Sequence, residues 1–289
     1  MWLIWIFAGL VVFFLLLFLL IVIFYRNKRT PHTRTPAEFG IPFEEIRFPT
    51  RNDKSLYGWW IPAEGEGGKR PVIILVHGWG RNVERTLPYI RALHPEGVHL
   101  LAFDSRHHGR SDADEFSSML KFAEDLMAAM DYAQSRPEAD SGRLGAVGLS
   151  IGGAAAVYAA GHDSRLRAAV TVGAFSHPVA VMRYSFRKMF LPYIPVVWAV
   201  LRYFEYRIGV RYEDIAPVNS IPNVSGKLLL IHGEEDKVVP LEEAKKLYAA
   251  APKDRVELWV VPGKGHSNCH THPEFWPKVH AFFRETLAQ

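Results

Sequence analysis

The sequence predicts an α/β fold: a mostly parallel, doubly wound sheet of about eight strands, with a helical insertion, preceded by one membrane-crossing helix. Three observations carry this. Short runs rich in Val, Ile and Leu alternate with longer stretches of helical periodicity from residue 43 onward. Most of those runs are apolar throughout rather than alternating, as strands buried on both faces are. Residues 2–25 contain no charged side chain.

The N-terminal segment Trp2–Tyr25 would span roughly 36 Å as a helix, enough for a hydrocarbon core of about 30 Å. Trp2, Trp5 and Tyr25 sit where interfacial aromatic belts form. No basic residue precedes the run and no small-residue cleavage site follows it, so it reads as an anchor rather than a cleaved signal. Arg26, Lys28, Arg29 and Arg34 all follow the span. The positive-inside rule then gives a single-pass protein with its C-terminal domain on the cytoplasmic side. Residues 26–40, with Pro31 and Pro36, read as a short, basic, stiff linker, and residues 41–289 as one catalytic domain.

Composition narrows the partners. Apolar residues make up 49% of the chain and charged residues 22%, enough for a large core and unlike a disordered chain. A formal charge of +4 suits an anionic lipid surface but is too weak to suggest nucleic acid. The lone Cys269 excludes an internal disulfide and zinc sites built on paired cysteines.

Phe43–Phe48 and Leu56–Ile61 read as an opening hairpin around the polar Arg51-Asn52-Asp53-Lys54. Buried-strand candidates follow at Val72–Val76, His99–Phe103, Leu144–Leu149, Ala168–Val172, Leu228–Ile231 and Val256–Val261. Helix candidates between them include Ser118–Ser135, Ile151–Ala160, Leu241–Ala250 and Pro273–Leu287. In such sheets ligands bind beyond the carboxyl ends of the strands, so the chemistry is sought there.

Gly148-Leu149-Ser150-Ile151-Gly152-Gly153 follows one strand and opens a helix of small residues. A serine on so tight a turn needs glycine on both sides, and the helix N-terminus favours negative charge developing beside it. A serine hydroxyl needs a base to take its proton. Of thirteen histidines, His266 lies in the flexible turn Pro262-Gly263-Lys264-Gly265-His266-Ser267, just past the last strand. An acceptor must orient that imidazole. Asp236 follows the strand Leu228–Ile231, with Glu234 and Glu235 as neighbours that could substitute. Two backbone N–H donors for a developing oxyanion are assigned to Ile151 and to Trp79 in His77-Gly78-Trp79-Gly80. His77 is expected to support that turn rather than move protons.

Taken in order, HGWG, DSRHHGRSD, GLSIGG, HGEEDKVVP and GKGH resemble the α/β-hydrolase superfamily, and within it membrane-anchored, monoacylglycerol-lipase-like serine hydrolases. The likeness runs over about residues 41–289. It implies that Asp104–Ser111 forms a loop beneath the site, with His108 structural. It also implies a lid between Ala168–Val172 and Leu228–Ile231. Residues 175–215 there are dense in aromatics and arginines, suited to a lipid headgroup region. His266, Cys269, His270 and His272 lie close in sequence, but without a nearby acidic partner no metal is expected, and no cofactor.

The expected activity is hydrolysis of carboxylic esters, of the EC 3.1.1 type. Acyl lipids such as monoacylglycerol or lysophospholipid are the expected substrates and the bilayer a partner. A thioesterase or peptidase using the same residues is the enzymatic alternative, and a non-catalytic membrane scaffold the other.

Overall fold

The computed structural model describes residues 1–24, 27–65, 68–191 and 193–288, with only the backbone of Phe24. Tyr25 and Arg26, which the sequence reading placed in the belt and the basic flank, lie outside them. The sheet has eight strands in the order β1-β2-β4-β3-β5-β6-β7-β8. They are β1 (Glu44–Thr50), β2 (Lys54–Ile61), β3 (Arg70–Val76), β4 (His99–Phe103), β5 (Ala139–Leu149), β6 (Leu166–Val172), β7 (Lys227–Gly233) and β8 (Val256–Val261). β1 and β2 pair antiparallel, as do β2 and β4, and every later pairing is parallel. The strand count and the opening hairpin are as the sequence predicts.

The ends differ for local reasons. β5 begins at Ala139, five residues before its apolar run, because Arg70 pairs with Ala139 ahead of a register shift. Polar Asp140 to Arg143 hide that extension from a hydrophobicity reading. Ser118 is not the first helical residue but the N-cap: its side chain accepts from the Lys121 N–H at 3.2 Å. The last helix starts at Phe275 rather than Pro273.

Apart from short single-turn pieces, the helices are α1 (Trp2–Phe24), α2 (Leu87–Leu93), α3 (Met119–Ser135), α4 (Ile151–His162), α5 (Pro178–Lys188), α6 (Trp198–Ile208), α7 (Leu241–Ala250) and α8 (Phe275–Leu287). α3, α4 and α7 cover one face of the sheet. α2 and α8 cover the other, with Leu93, Phe275 and Val279 fully buried. Burial of each such side chain contributes about 1.5–3 kcal/mol, so two apolar layers clamp the sheet and hold its strand ends rigid. The chain order reverses between β3 and β5, which opens a crevice at their carboxyl ends.

α1 is long and apolar enough over Trp2–Ile23 to cross a membrane, with few of its side chains buried. Its last turns are covered: Ile21 is buried and Phe18 meets Tyr203 of α6 edge-on, ring centres 5.4 Å apart. The segment expected as a spacer is bonded to the domain. Asn27 donates to the His107 carbonyl at 3.0 Å and Arg29 to the Ser111 carbonyl at 2.6 Å. The Thr30 carbonyl accepts from Asn82 at 3.0 Å, and Glu84 accepts the backbone N–H groups of Thr33 and Arg34 at 2.9 and 3.3 Å.

In the insertion, the large apolar side chains divide. Phe186 is buried, while Phe190 is 94%, Ile194 72% and Trp198 50% exposed. Several of its arginines are paired rather than free. Arg202 meets Glu205 at 2.6 Å, Arg207 meets Glu115 at 3.1 Å and Arg211 meets Asp214 at 2.8 Å. A basic face is therefore less pronounced than the sequence suggests.

Candidate active site

β5 ends at Leu149, and Ser150 turns the chain into α4 with φ 56° and ψ −117°. That conformation costs an L-residue of order 1–3 kcal/mol. The surrounding packing imposes it. A Cβ on Gly148 would lie 2.3 Å from the Gly152 carbonyl oxygen, and one on Gly152 would lie 2.6 Å from the carbonyls of Val76 and His77. The glycines let β5, α4 and β3 approach closely enough to force the turn, and the Ser150 N–H is tied to the Val172 carbonyl at 2.8 Å.

β7 and β8 deliver the other two groups. A Cβ on Gly233 would lie 2.4 Å from the Lys264 carbonyl oxygen, so the loops after the two strands can touch. Glu235 N–H bonds that same carbonyl at 2.8 Å. His266 Nδ1 lies 2.6 Å from Asp236 Oδ2, and His266 Nε2 lies 2.9 Å from Ser150 Oγ. Asp236 Oδ1 accepts the N–H groups of Val238 and Val239 at 2.8 and 2.9 Å. Burial by itself would raise the Asp236 carboxyl. The hydrogen bond and charge of His266 and those backbone donors outweigh it and hold the group below the ordinary aspartate value. Of the three neighbouring acids, only Asp236 is buried; Glu234 and Glu235 are exposed.

Opposite the serine, the turn after β3 passes so close that a Cβ on Gly78 would stand 3.6 Å from the Ser150 Cβ. The Trp79 N–H makes no hydrogen bond among the described residues. Ile151 is the first residue of α4, where helix geometry offers its N–H no acceptor. Both N–H groups thus stand free among the described residues, one in the turn that faces Ser150 and one directly after it. The Trp79 side chain is 38% exposed at the rim.

Beneath them, His77 and His108 are buried and fully engaged. His77 Nε2 accepts from the Ser105 N–H at 3.0 Å and its Nδ1 donates to the Gly78 carbonyl at 2.8 Å. Burial lowers its pKa to about 4. His108 Nε2 accepts from the Gly80 N–H at 3.2 Å, and burial, then His77, hold it well below its ordinary value. Both rings are neutral struts. Asp104 anchors the same loop, accepting from Val83 N–H at 2.6 Å and Arg110 N–H at 2.8 Å.

Gly173, just past β6, was not singled out by its sequence context. It has φ +69°, and a Cβ there would stand 2.9 Å from both Cε1 and Nδ1 of His266. Its only sequence signal is a glycine at a strand end, which many turns share. Gly173→Ala is expected to lower kcat/KM about 100-fold by displacing the imidazole, while backbone strain costs about 1–2 kcal/mol. Steady-state kinetics beside a melting curve checks this, and an unchanged kcat/KM would refute it.

The other residues of the sequence cluster diverge. Cys269 is buried with its thiol 3.4 Å from the Gly265 carbonyl oxygen, and burial pushes its pKa up to about 11. His270 lies against Tyr89 and His272 against Trp259. Among the described residues no group of three or more His, Cys, Asp or Glu is arranged to hold a metal.

Residues 105–289 match the model of the prolyl oligopeptidase family. The chain is 28% identical over 248 residues to the uncharacterized protein YfhR of Salmonella typhimurium, covering 83% of this chain and 79% of that one. An esterase of Pyrococcus furiosus superposes with a TM-score of 0.73 at 23% identity, over 91% of this chain and 100% of the esterase. An acylaminoacyl peptidase of Pyrococcus horikoshii superposes with a TM-score of 0.67 at 19% identity, over 90% of this chain and 44% of the peptidase. The family match spans more than half of the chain. The chain therefore belongs to the prolyl oligopeptidase family, among the esterase- and peptidase-type α/β hydrolases.

Proposed function

We propose that this hydrolase is a membrane-anchored carboxylesterase that cleaves acyl lipids, of the monoacylglycerol or lysophospholipid kind, through an acyl-enzyme on Ser150. The observation that carries the chemistry is the continuous line from Asp236 through His266 to Ser150, at 2.6 and 2.9 Å. His266 Nε2 takes the Ser150 proton as Oγ bonds to the acyl carbon. The carbonyl π electrons move to oxygen, where the N–H groups of Trp79 and Ile151 hold the charge. Collapse restores the carbonyl and expels the alcohol, which leaves with the proton from His266. Water then repeats the sequence on the acyl-enzyme, releasing the carboxylic acid and restoring Ser150. Asp236 fixes the imidazole tautomer and stabilises its charged form.

The lipid substrate is supported by location. α1 carries apolar side chains on every exposed face, and near its end Phe18 meets Tyr203 of the insertion while Ile21 is buried. Met189, Phe190, Ile194 and Trp198 present apolar surface on that insertion, from 46% to 94% exposed among the described residues. Such a group is suited to the acyl boundary of a bilayer. The positive charges after the span support a cytoplasmic orientation.

Hydrolysis of p-nitrophenyl esters from two to sixteen carbons in detergent micelles tests this reading. Activity rising with chain length, with fluorophosphonate labelling of Ser150, is the expected result. Activity restricted to the shortest esters would remove the lipid substrate, and no turnover or labelling would remove the enzyme. The family match favours one alternative, a peptidase with the same residues. Faster turnover of aminoacyl anilides than of matched esters would establish it.

A further inference from the structure

A cleft of about 620 Å³ opens beside the oxyanion turn and is lined by four arginines, Arg34, Arg81, Arg85 and Arg91, with Thr30 and Gly80. We infer that this cleft binds a phosphate monoester, as the headgroup of an acyl-lipid substrate. The inference rests on the ester-hydrolase reading for what the headgroup is attached to, though not for the anion site itself.

The charge is unbalanced. Glu84 is the one acid among the lining residues. Its carboxylate is already taken by the Thr33 and Arg34 N–H groups at 2.9 and 3.3 Å. Arg34 shares its charge with Glu38 at 2.9 Å. The Arg81 side chain makes no ion pair or hydrogen bond among the described residues. The guanidiniums of Arg34 and Arg91 lie 6.0 and 5.5 Å from the same Phe39 ring, which holds two planar donors in place without using their N–H groups. Guanidinium is the group that grips phosphate in two-point fashion.

The position joins the cleft to the chemistry. Gly80 and Arg81 directly follow Trp79, and a Cβ on Gly78 would lie 3.6 Å from the Ser150 Cβ. Arg85 donates to the carbonyl of Ser267, the residue after His266, at 2.9 Å. On its other side the cleft is walled by Thr30, six residues beyond the end of α1. An anion seated there borders both the segment that leaves α1 and the turn that faces Ser150, so the polar end of a single-chain lipid would rest there while its ester reaches the nucleophile. The volume accommodates a glycerol phosphate.

The test compares 1-oleoyl glycerol with 1-oleoyl lysophosphatidate, which differ only in the phosphate, using the full chain in neutral detergent. The wild type is expected to show the lower KM for the phosphate-bearing ester, an advantage that shrinks as salt rises. Arg81→Ala/Arg91→Ala is expected to reduce the ratio of the two KM values at least tenfold, with Arg81→Lys/Arg91→Lys recovering part of it. Arg51→Ala, in the turn between β1 and β2, should leave the ratio where it is. Calorimetric titration with glycerol 3-phosphate reads the anion site without turnover. Binding that the double variant loses, with no change in the KM ratio, assigns the cleft to a soluble phosphate and removes the headgroup role. No arginine-dependent effect in either arm overturns the site. Absence of ester turnover alone removes only the ester-hydrolase reading, because the titration stands without it.

Discussion

Ser150→Ala is expected to lower kcat for a p-nitrophenyl ester by about a million-fold, since nucleophile, base and acid act as one unit. Among the described residues the hydroxyl's only hydrogen-bond partner is His266 Nε2 at 2.9 Å, so little folding energy goes with it. Alanine keeps the Cβ, and with it the strain of φ 56°. The melting temperature should therefore stay close to that of the wild type while fluorophosphonate labelling disappears. Ser150→Gly separates the two properties. It is equally inactive, but glycine adopts this conformation freely, so it should be more stable than Ser150→Ala by about 1 kcal/mol or more. Residual turnover above a thousandth of wild type in either variant would mean that another group attacks the acyl carbon.

Asp236→Asn is expected to cost on the order of 10⁴ in kcat, the loss seen when a triad carboxylate becomes an amide. The local bonding says why. Asp236 Oδ1 accepts two backbone N–H groups, from Val238 and Val239. An asparagine keeps those bonds only by placing its amide oxygen there, which turns its NH₂ toward His266 Nδ1. That nitrogen must then accept, the ring proton moves to Nε2, and Nε2 can no longer take the proton of Ser150. The fold should hold, because both backbone bonds survive. The check is kcat beside a melting curve, together with the imidazole N–H resonance by NMR. A variant within tenfold of wild type would show that Asp236 does not set the tautomer.

The sheet was largely legible because parallel strands buried on both faces must be continuous apolar runs. Val72–Val76 and Leu228–Ile231 cannot be read as anything that faces water. Ser150, Asp236 and His266 are legible on similar grounds, each following a different apolar strand at the end where an α/β sheet leaves its crevice. Gly173 was not legible, because its role is a contact with His266, and nothing in its own neighbours encodes a residue so far away along the chain. The bonds from Asn27, Arg29 and Thr30 were hidden for the same reason. Their polar groups read as linker until their partners on the loops at His107, Ser111 and Asn82 come into view. The pairing of Arg207 with Glu115 depends on tertiary placement in the same way, whereas Arg202–Glu205 and Arg211–Asp214 are neighbours three residues apart.

Those bonds along residues 27–34 also decide how the domain moves. From the end of α1 to Asn27 is three residues, at most about 10 Å of chain, and from there the backbone is fastened down. With α1 in a bilayer, the domain cannot swing on a tether to sample lipids in a neighbouring vesicle or in bulk solution. It reaches only the sheet of lipid in which it is rooted. For the lipid substrate proposed above, the working concentration would then be a mole fraction in that sheet, and diluting the membrane with inert lipid would slow turnover where diluting the suspension with buffer would not.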